Sequence, residues 1–230
     1  MIANGYNYII GTQAIGAKYK FTDKPVLVET SDRILEMGSN ILKIALNPVE
    51  ADVEQAEFKH ASPLQLITES EVIKEVLSKD FRYIFMWVTT PGVKWADGMD
   101  EDEIQLEYKS MYEFSRYLLD HYEGTGKSFY LGHWEGDWLL LGSYSRTQKT
   151  VDPVRIQGMI DWYNIRQRAI EDARKDNMSD VSVYHYAELN RVNPALYYGY
   201  DRIVNRILPN IDVDYVSYSS YESTSEEVNG

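Results

Sequence analysis

The sequence predicts an α/β fold with a parallel sheet, on three observations. Six short apolar segments alternate with amphipathic helical patterns, and each connection is long enough to hold a crossover helix. The strand segments are dense in apolar residues rather than alternating with charge, as when both faces of a sheet are covered. Residues able to carry chemistry gather after several different strands, as on the C-terminal rim of a (β/α)8 TIM-type barrel. No Gly-x-Gly-x-x-Gly or phosphate-cradling loop follows any strand, which counts against a nucleotide-binding doubly wound sheet.

In chain order, the expected strands are Tyr8–Thr12, Ile41–Leu46, Tyr83–Thr89, Ser128–Glu135, Val181–Glu188 and Val213–Ser219. Helices are expected near 31–38, 63–78 and 196–207. Residues 104–122 place Ile104, Tyr108, Met111, Phe114, Leu118 and Tyr122 at helical spacing. Residues 155–174 do the same with Ile156, Met159, Ile160, Tyr163, Gln167 and Ile170. Pro153 suits the first turn of that helix, with Asp152 as its cap. The run Asp100-Glu101-Asp102-Glu103 reads as an acidic helix start favoured by the helix dipole, ahead of a calcium loop.

No linker or composition break divides the chain, so a single barrel domain over residues 1–230 is expected. At about 40 residues per unit, the chain holds about six βα units, where complete barrels run to ~250 residues or more. The sixth strand is followed by a polar tail, Glu222-Ser223-Thr224-Ser225-Glu226-Glu227. The expectation is therefore an incomplete barrel, truncated at its C-terminal side. Such a sheet has two unpaired edges, which favour self-association.

Net charge is −13, from 36 acidic and 23 basic residues, which disfavours nucleic acid and anionic membrane as partners. The absence of cysteine excludes disulfides, thiolate nucleophiles, Cys-type zinc sites and iron–sulfur clusters. The 4 histidines show no His-Glu-x-x-His spacing, and no Gly-x-Ser-x-Gly elbow occurs. No cofactor and no metal are expected. No signal peptide is visible and no apolar run approaches the ~18–20 residues of a membrane span. The default location is cytoplasmic, or secreted or periplasmic if a leader has been trimmed.

The most informative segment is Phe129-Tyr130-Leu131-Gly132-His133-Trp134-Glu135-Gly136-Asp137-Trp138. An apolar strand ends there in two carboxylates, flanked by two tryptophans and a histidine. Aromatic rings stack on the apolar faces of sugars, and a carboxyl among them suits acid catalysis. The expected chemistry is carbohydrate chemistry. Glycoside hydrolysis commonly uses two carboxyl groups, one of them protonating the leaving oxygen. Glu135 is the candidate for that acid/base; the alternative is a carboxylate that caps a helix or pairs with arginine. In an extended chain His133, Glu135 and Asp137 share a face, with Asp137 better suited to orienting the loop and His133 to a core hydrogen bond or a sugar hydroxyl. Trp134, Trp138 and Trp87 are candidate stacking platforms, Trp87 also fitting the core.

On the long helix, Arg166 and Gln167 with Asn164 either hold a carboxylate or sugar hydroxyls, or make surface ion pairs with Glu171 or Asp172. Glu188 and Asn190 close the fifth strand; Glu188 is either a substrate ligand or second carboxylate, or the partner of Arg191 or Arg166. Tyr218, on the sixth strand, offers a hydroxyl to sugar or packs.

Three of these stretches carry a family likeness: Leu131-Gly132-His133-Trp134-Glu135-Gly136-Asp137-Trp138, Trp162-x-Asn164-x-Arg166-Gln167 and Tyr186-Ala187-Glu188-Leu189-Asn190. Over most of residues 6–222 the chain resembles a bacterial group related to clan A glycoside hydrolases. The resemblance implies a (β/α)8 barrel and a retaining two-glutamate mechanism acting on a poly- or oligosaccharide. It implies the acid/base at the end of strand four, which Glu135 matches. Where the clan has an asparagine just before that residue, this chain has Trp134. The clan nucleophile lies at the end of strand seven, for which this chain offers no residue, so the isolated chain is expected to show little or no hydrolysis. Two alternatives stand beside it: a non-catalytic barrel that binds glycans through Trp87, Trp134 and Trp138, and an aldolase or isomerase barrel, for which Lys43 alone gives little support.

Overall fold

The structure, a computed structural model, describes residues 10–16, 19–47 and 60–224. Six parallel strands pair in the order of the chain: β1 Thr12–Gln13, β2 Ile41–Leu46, β3 Tyr83–Val88, β4 Ser128–Gly132, β5 Ser182–Leu189 and β6 Tyr215–Tyr218. The sheet curls into a half-barrel, with no reversal of strand order of the kind that marks a doubly wound fold. Tyr8 and Ile9 of the expected first strand lie outside the described residues.

Strand alternation separates two environments. Leu42, Ile44, Ile84, Met86, Phe129, Leu131 and Val183 point outward and are fully buried beneath the helices. Phe85, Tyr130 and Tyr184 face the concave side, half-buried. They form a ladder of rings, Phe85 stacked on Tyr130 at 4.3 Å between centroids and Tyr130 at 5.3 Å from Tyr184. Register makes this row: Lys43 pairs with Phe85, Phe85 with Tyr130 and Tyr130 with Tyr184.

Side-chain caps mark several of the helix starts. The helix α1, Val26–Glu36, follows Pro25 and starts earlier than expected. The expected helix over 63–78 is two: α2, Pro63–Glu69, and α3, Glu71–Ser78. Ser70 divides them, because it leaves helical geometry and its side chain accepts the Ile73 N–H as a cap. The helix α4, Glu101–His121, opens on a capping box between Asp100 and Glu103, so the acidic run is a helix start. After β4 comes the short α5, Gly136–Leu141, then α6, Pro153–Lys175, capped by Asp152 with Pro153 in its first turn. The expected helix over 196–207 is also two pieces. The helix α7, Val192–Tyr198, stops at Gly199, whose φ of 68° is left-handed, and a π-helical turn follows over Ile203–Ile207.

The two longest helices are tied by a buried ion pair. Arg166 on α6 and Glu107 on α4 lie 3.1 Å apart with both side chains wholly inaccessible. Arg166 also donates to the Val88 carbonyl at the end of β3 at 3.2 Å, and its guanidinium lies 4.6 Å over the Trp162 ring. The surface pairing with Glu171 or Asp172 open to Arg166 from sequence does not form, because α6 turns this position into the layer beneath α4. Burial pushes the Glu107 carboxyl upward, and the guanidinium opposes that push.

Removing one partner of such a pair strands the other charge. Arg166→Met is expected to lower unfolding free energy by about 3–5 kcal/mol in urea titrations, and adding Glu107→Leu to restore most of it. A loss below about 1 kcal/mol in the single variant would contradict the role given to the pair.

Candidate functional site

Because every strand is parallel, the residues that follow β2 to β6 collect on one rim. A cleft of about 230 Å³ opens there at the ends of β2, β3 and β4. Trp87, Trp95, Trp134 and Trp162 line it, with Asn47, Thr89 and His133 among the polar neighbours. Trp95 and Trp162 stack on each other at 5.8 Å. Four of the 5 tryptophans in the chain thus wall one cavity.

None of Glu135, Asp137 and Glu188 lines this cleft, and a turn decides where each points. Strand β4 ends at Gly132, three residues earlier than expected. A side chain at Gly132 would lie 2.3 Å from the Tyr186 ring, and one at Gly136 would lie 2.7 Å from the Glu188 carbonyl. The absence of both side chains lets the segment fold tightly against β5. His133, Glu135 and Asp137 therefore do not share a face, as an extended chain would make them do.

His133 turns under the helices, bonding Tyr163 Oη through Nε2 and the Trp134 carbonyl through Nδ1 at 2.9 Å. Glu135, half-buried, accepts from Ser219 Oγ at 3.2 Å and from Asn190 Nδ2 at 3.4 Å. Asp137 is buried, and its carboxylate accepts three backbone N–H groups: Asn190 and Arg191 at 2.9 Å, and Ile203 at 2.8 Å. In return the Asp137 N–H donates to Asn190 Oδ1 at 3.0 Å. Asp137 orients the loops rather than meeting a ligand.

Glu188 is buried with both oxygens engaged. One accepts the Glu135 backbone N–H at 3.1 Å, and the other meets Lys43 Nζ at 2.6 Å. Its ion-pair partner is thus Lys43, not Arg191 or Arg166. Lys43 Nζ also lies 5.0 Å from the Trp87 ring centre. The Tyr186 hydroxyl beside Trp87 is held protonated, its pKa pushed up by burial and then by Glu188.

Other sequence candidates go elsewhere. Asn164 bridges the segment before β6, donating to the Asn210 carbonyl at 3.2 Å and accepting the Asp212 N–H at 3.1 Å. Gln167 donates to Glu171 at 3.0 Å within its own helix. Tyr218 donates to Glu222 at 3.0 Å. Trp138 sits outside the cleft beneath Arg191, whose guanidinium is 5.4 Å from the ring. Sequence reasoning weighed Lys43 only for an aldolase or isomerase barrel and did not single out Ser219 or Trp95. Lys43 had a signal: an ammonium inside the apolar strand Ile41–Leu46 demands a partner. Among the described residues, no group of three or more His, Asp or Glu is placed to hold a metal ion. The chain matches no protein-family model and no curated protein sequence.

Two histidines shape the pH response. Burial pushes His133 down to about 4 and His185 well below its ordinary range. An unfolded histidine titrates near ~6.5, so below that pH the unfolded chain binds protons that the fold refuses. Stability from His133 is complete above about 6.5 and is lost as pH falls towards 4, by about 2 kcal/mol between pH 7 and 5, and His185 acts in the same direction. Urea midpoints across that range read the fall, and a flat profile would contradict it. Asp137→Ala, which orphans three N–H groups, is expected to cost about 3–5 kcal/mol at pH 7. A loss under 1 kcal/mol would deny it the anchoring role.

Proposed function

We propose that the curled sheet is an arc of a (β/α)8-type barrel whose cleft takes a poly- or oligosaccharide, and that the protein is a retaining glycoside hydrolase with Glu135 as general acid/base. The observation that carries the reading is one juxtaposition. A half-buried carboxyl, hydrogen-bonded on both oxygens, immediately follows Trp134 on the wall of a cleft with three further tryptophans. Indole faces hold pyranose rings by their C–H surfaces, and the polar groups beside them set orientation.

In this reading Glu135 gives its proton to the glycosidic oxygen as the bond from that oxygen to the anomeric carbon breaks. A second carboxylate attacks the anomeric carbon, and Glu135 then takes a proton from the water that releases the sugar. Glu188 is not assigned the attacking role, because Lys43 and the Glu135 N–H occupy its oxygens. It fixes the backbone of the acid/base instead. The same observation favours a second reading, a non-catalytic glycan-binding barrel that uses the cleft tryptophans with Trp138 beside them.

The test is turnover of a panel of neutral polysaccharides and aryl glycosides by the wild-type chain and Glu135→Gln. With Glu188 engaged and no attacking carboxylate assigned in this chain, turnover by wild type is expected to be low, and Glu135→Gln is expected to lower whatever kcat there is by about 100-fold or more with KM little changed. Equal turnover by both would remove Glu135 from the acid role. Binding with no turnover by either would replace hydrolysis with the glycan-binding reading.

A further inference from the structure

Tyr144 is 72% exposed, yet its ring is fixed. It lies 5.9 Å from the ring of Trp134 and 5.8 Å from that of Trp138. The loop that carries it is pinned at both ends. Upstream, α5 closes on Gly142 in a left-handed turn at φ 66°, and Arg155 donates to the Leu139 and Leu140 carbonyls at 2.7 Å. Downstream, Arg202 Nη2 donates to the Gln148 carbonyl at 3.0 Å, and Ser143 Oγ reaches the Gln148 side chain at 3.3 Å. Trp134 lines the cleft, and Tyr144 joins it to Trp138, tilted 60° to the first ring and 58° to the second.

An aromatic ring left in water still has its apolar surface to bury, and a ring held in place loses little entropy when a ligand covers it. Resting on the glycan reading of the cleft, we propose that Trp134, Tyr144 and Trp138 form a shelf for the continuation of an uncharged polysaccharide chain whose neighbouring units occupy the cleft. Successive rings suit the apolar faces of successive sugars. The net charge of −13 disfavours polyanionic glycans at long range, with Arg191 the cation over Trp138. The substrate is then a polymer held across several units, not a disaccharide alone.

Affinity electrophoresis tests this, with native gels containing hydroxyethylcellulose, xylan or galactomannan and the matching disaccharides as competitors. Wild type is expected to be slowed by at least one polysaccharide. Tyr144→Ala is expected to lose about ten-fold in affinity for it, the scale of one aromatic stacking contact, with unchanged competition by the disaccharide. Tyr144→Phe keeps the ring and is expected to match wild type, whereas Trp87→Ala, at the cleft, is expected to weaken both ligands. Equal slowing of wild type and Tyr144→Ala would overturn the shelf and leave the cleft reading standing. No slowing of wild type in any gel would overturn both.

Discussion

The rim of this sheet depends on the Asp137 carboxylate. Three backbone N–H groups from two separate loops converge on it, and Asn190 returns a bond to its own N–H. A buried carboxylate without partners is too costly to keep ionised, and buried N–H groups without acceptors cost about 1–3 kcal/mol each. Each solves the other's problem. The loop after β4 is thereby locked to the loop after β5 and to the π-helical turn at 203–207. Glu135 lies two residues before this clamp, and Asn190, which the clamp fixes, also donates to its carboxylate.

A second tier of buried charge fixes the strands beneath. Lys43 reaches from β2 to Glu188 on β5, and Glu188 holds the Glu135 N–H with its other oxygen. Arg166 and Glu107 do similar work on the outer face, joining α4, α6 and the end of β3. Pairs of this kind add little net stability, but they are unforgiving of the wrong arrangement.

Much of the fold is legible in the sequence. β2, β3, β4 and β5 stand out because apolar runs bounded by turns leave few other readings, and Asp100 and Pro153 mark helix starts by chemistry that acts within one turn. The turn after Gly132 is not legible, because its cause lies across the sheet in the Tyr186 ring and the Glu188 backbone. Parity along an extended strand therefore misplaces His133 and Glu135 relative to one another. The break at Ser70 was available locally, since serine caps helices, but the apolar period runs across it. Arg166 reads either as the holder of a carboxylate or as half of a surface ion pair, and only α4 placed over it decides for the first, with Glu107 as the partner. At the site, Glu135 and the flanking tryptophans are legible as a cluster of types, while Lys43, Ser219 and Trp95 enter only through the curl of the sheet.

The central claim is that the tryptophan-walled cleft, to which Trp134 next to Glu135 in the chain contributes, receives a sugar. The most direct measurement follows the indole N–H signals of the 5 tryptophans by NMR as neutral gluco-, xylo- and manno-oligosaccharides are added. Saturable shifts of the Trp87 and Trp134 signals with at least one series are the expected result. Spectra in which no indole signal moves with any of the three would contradict it.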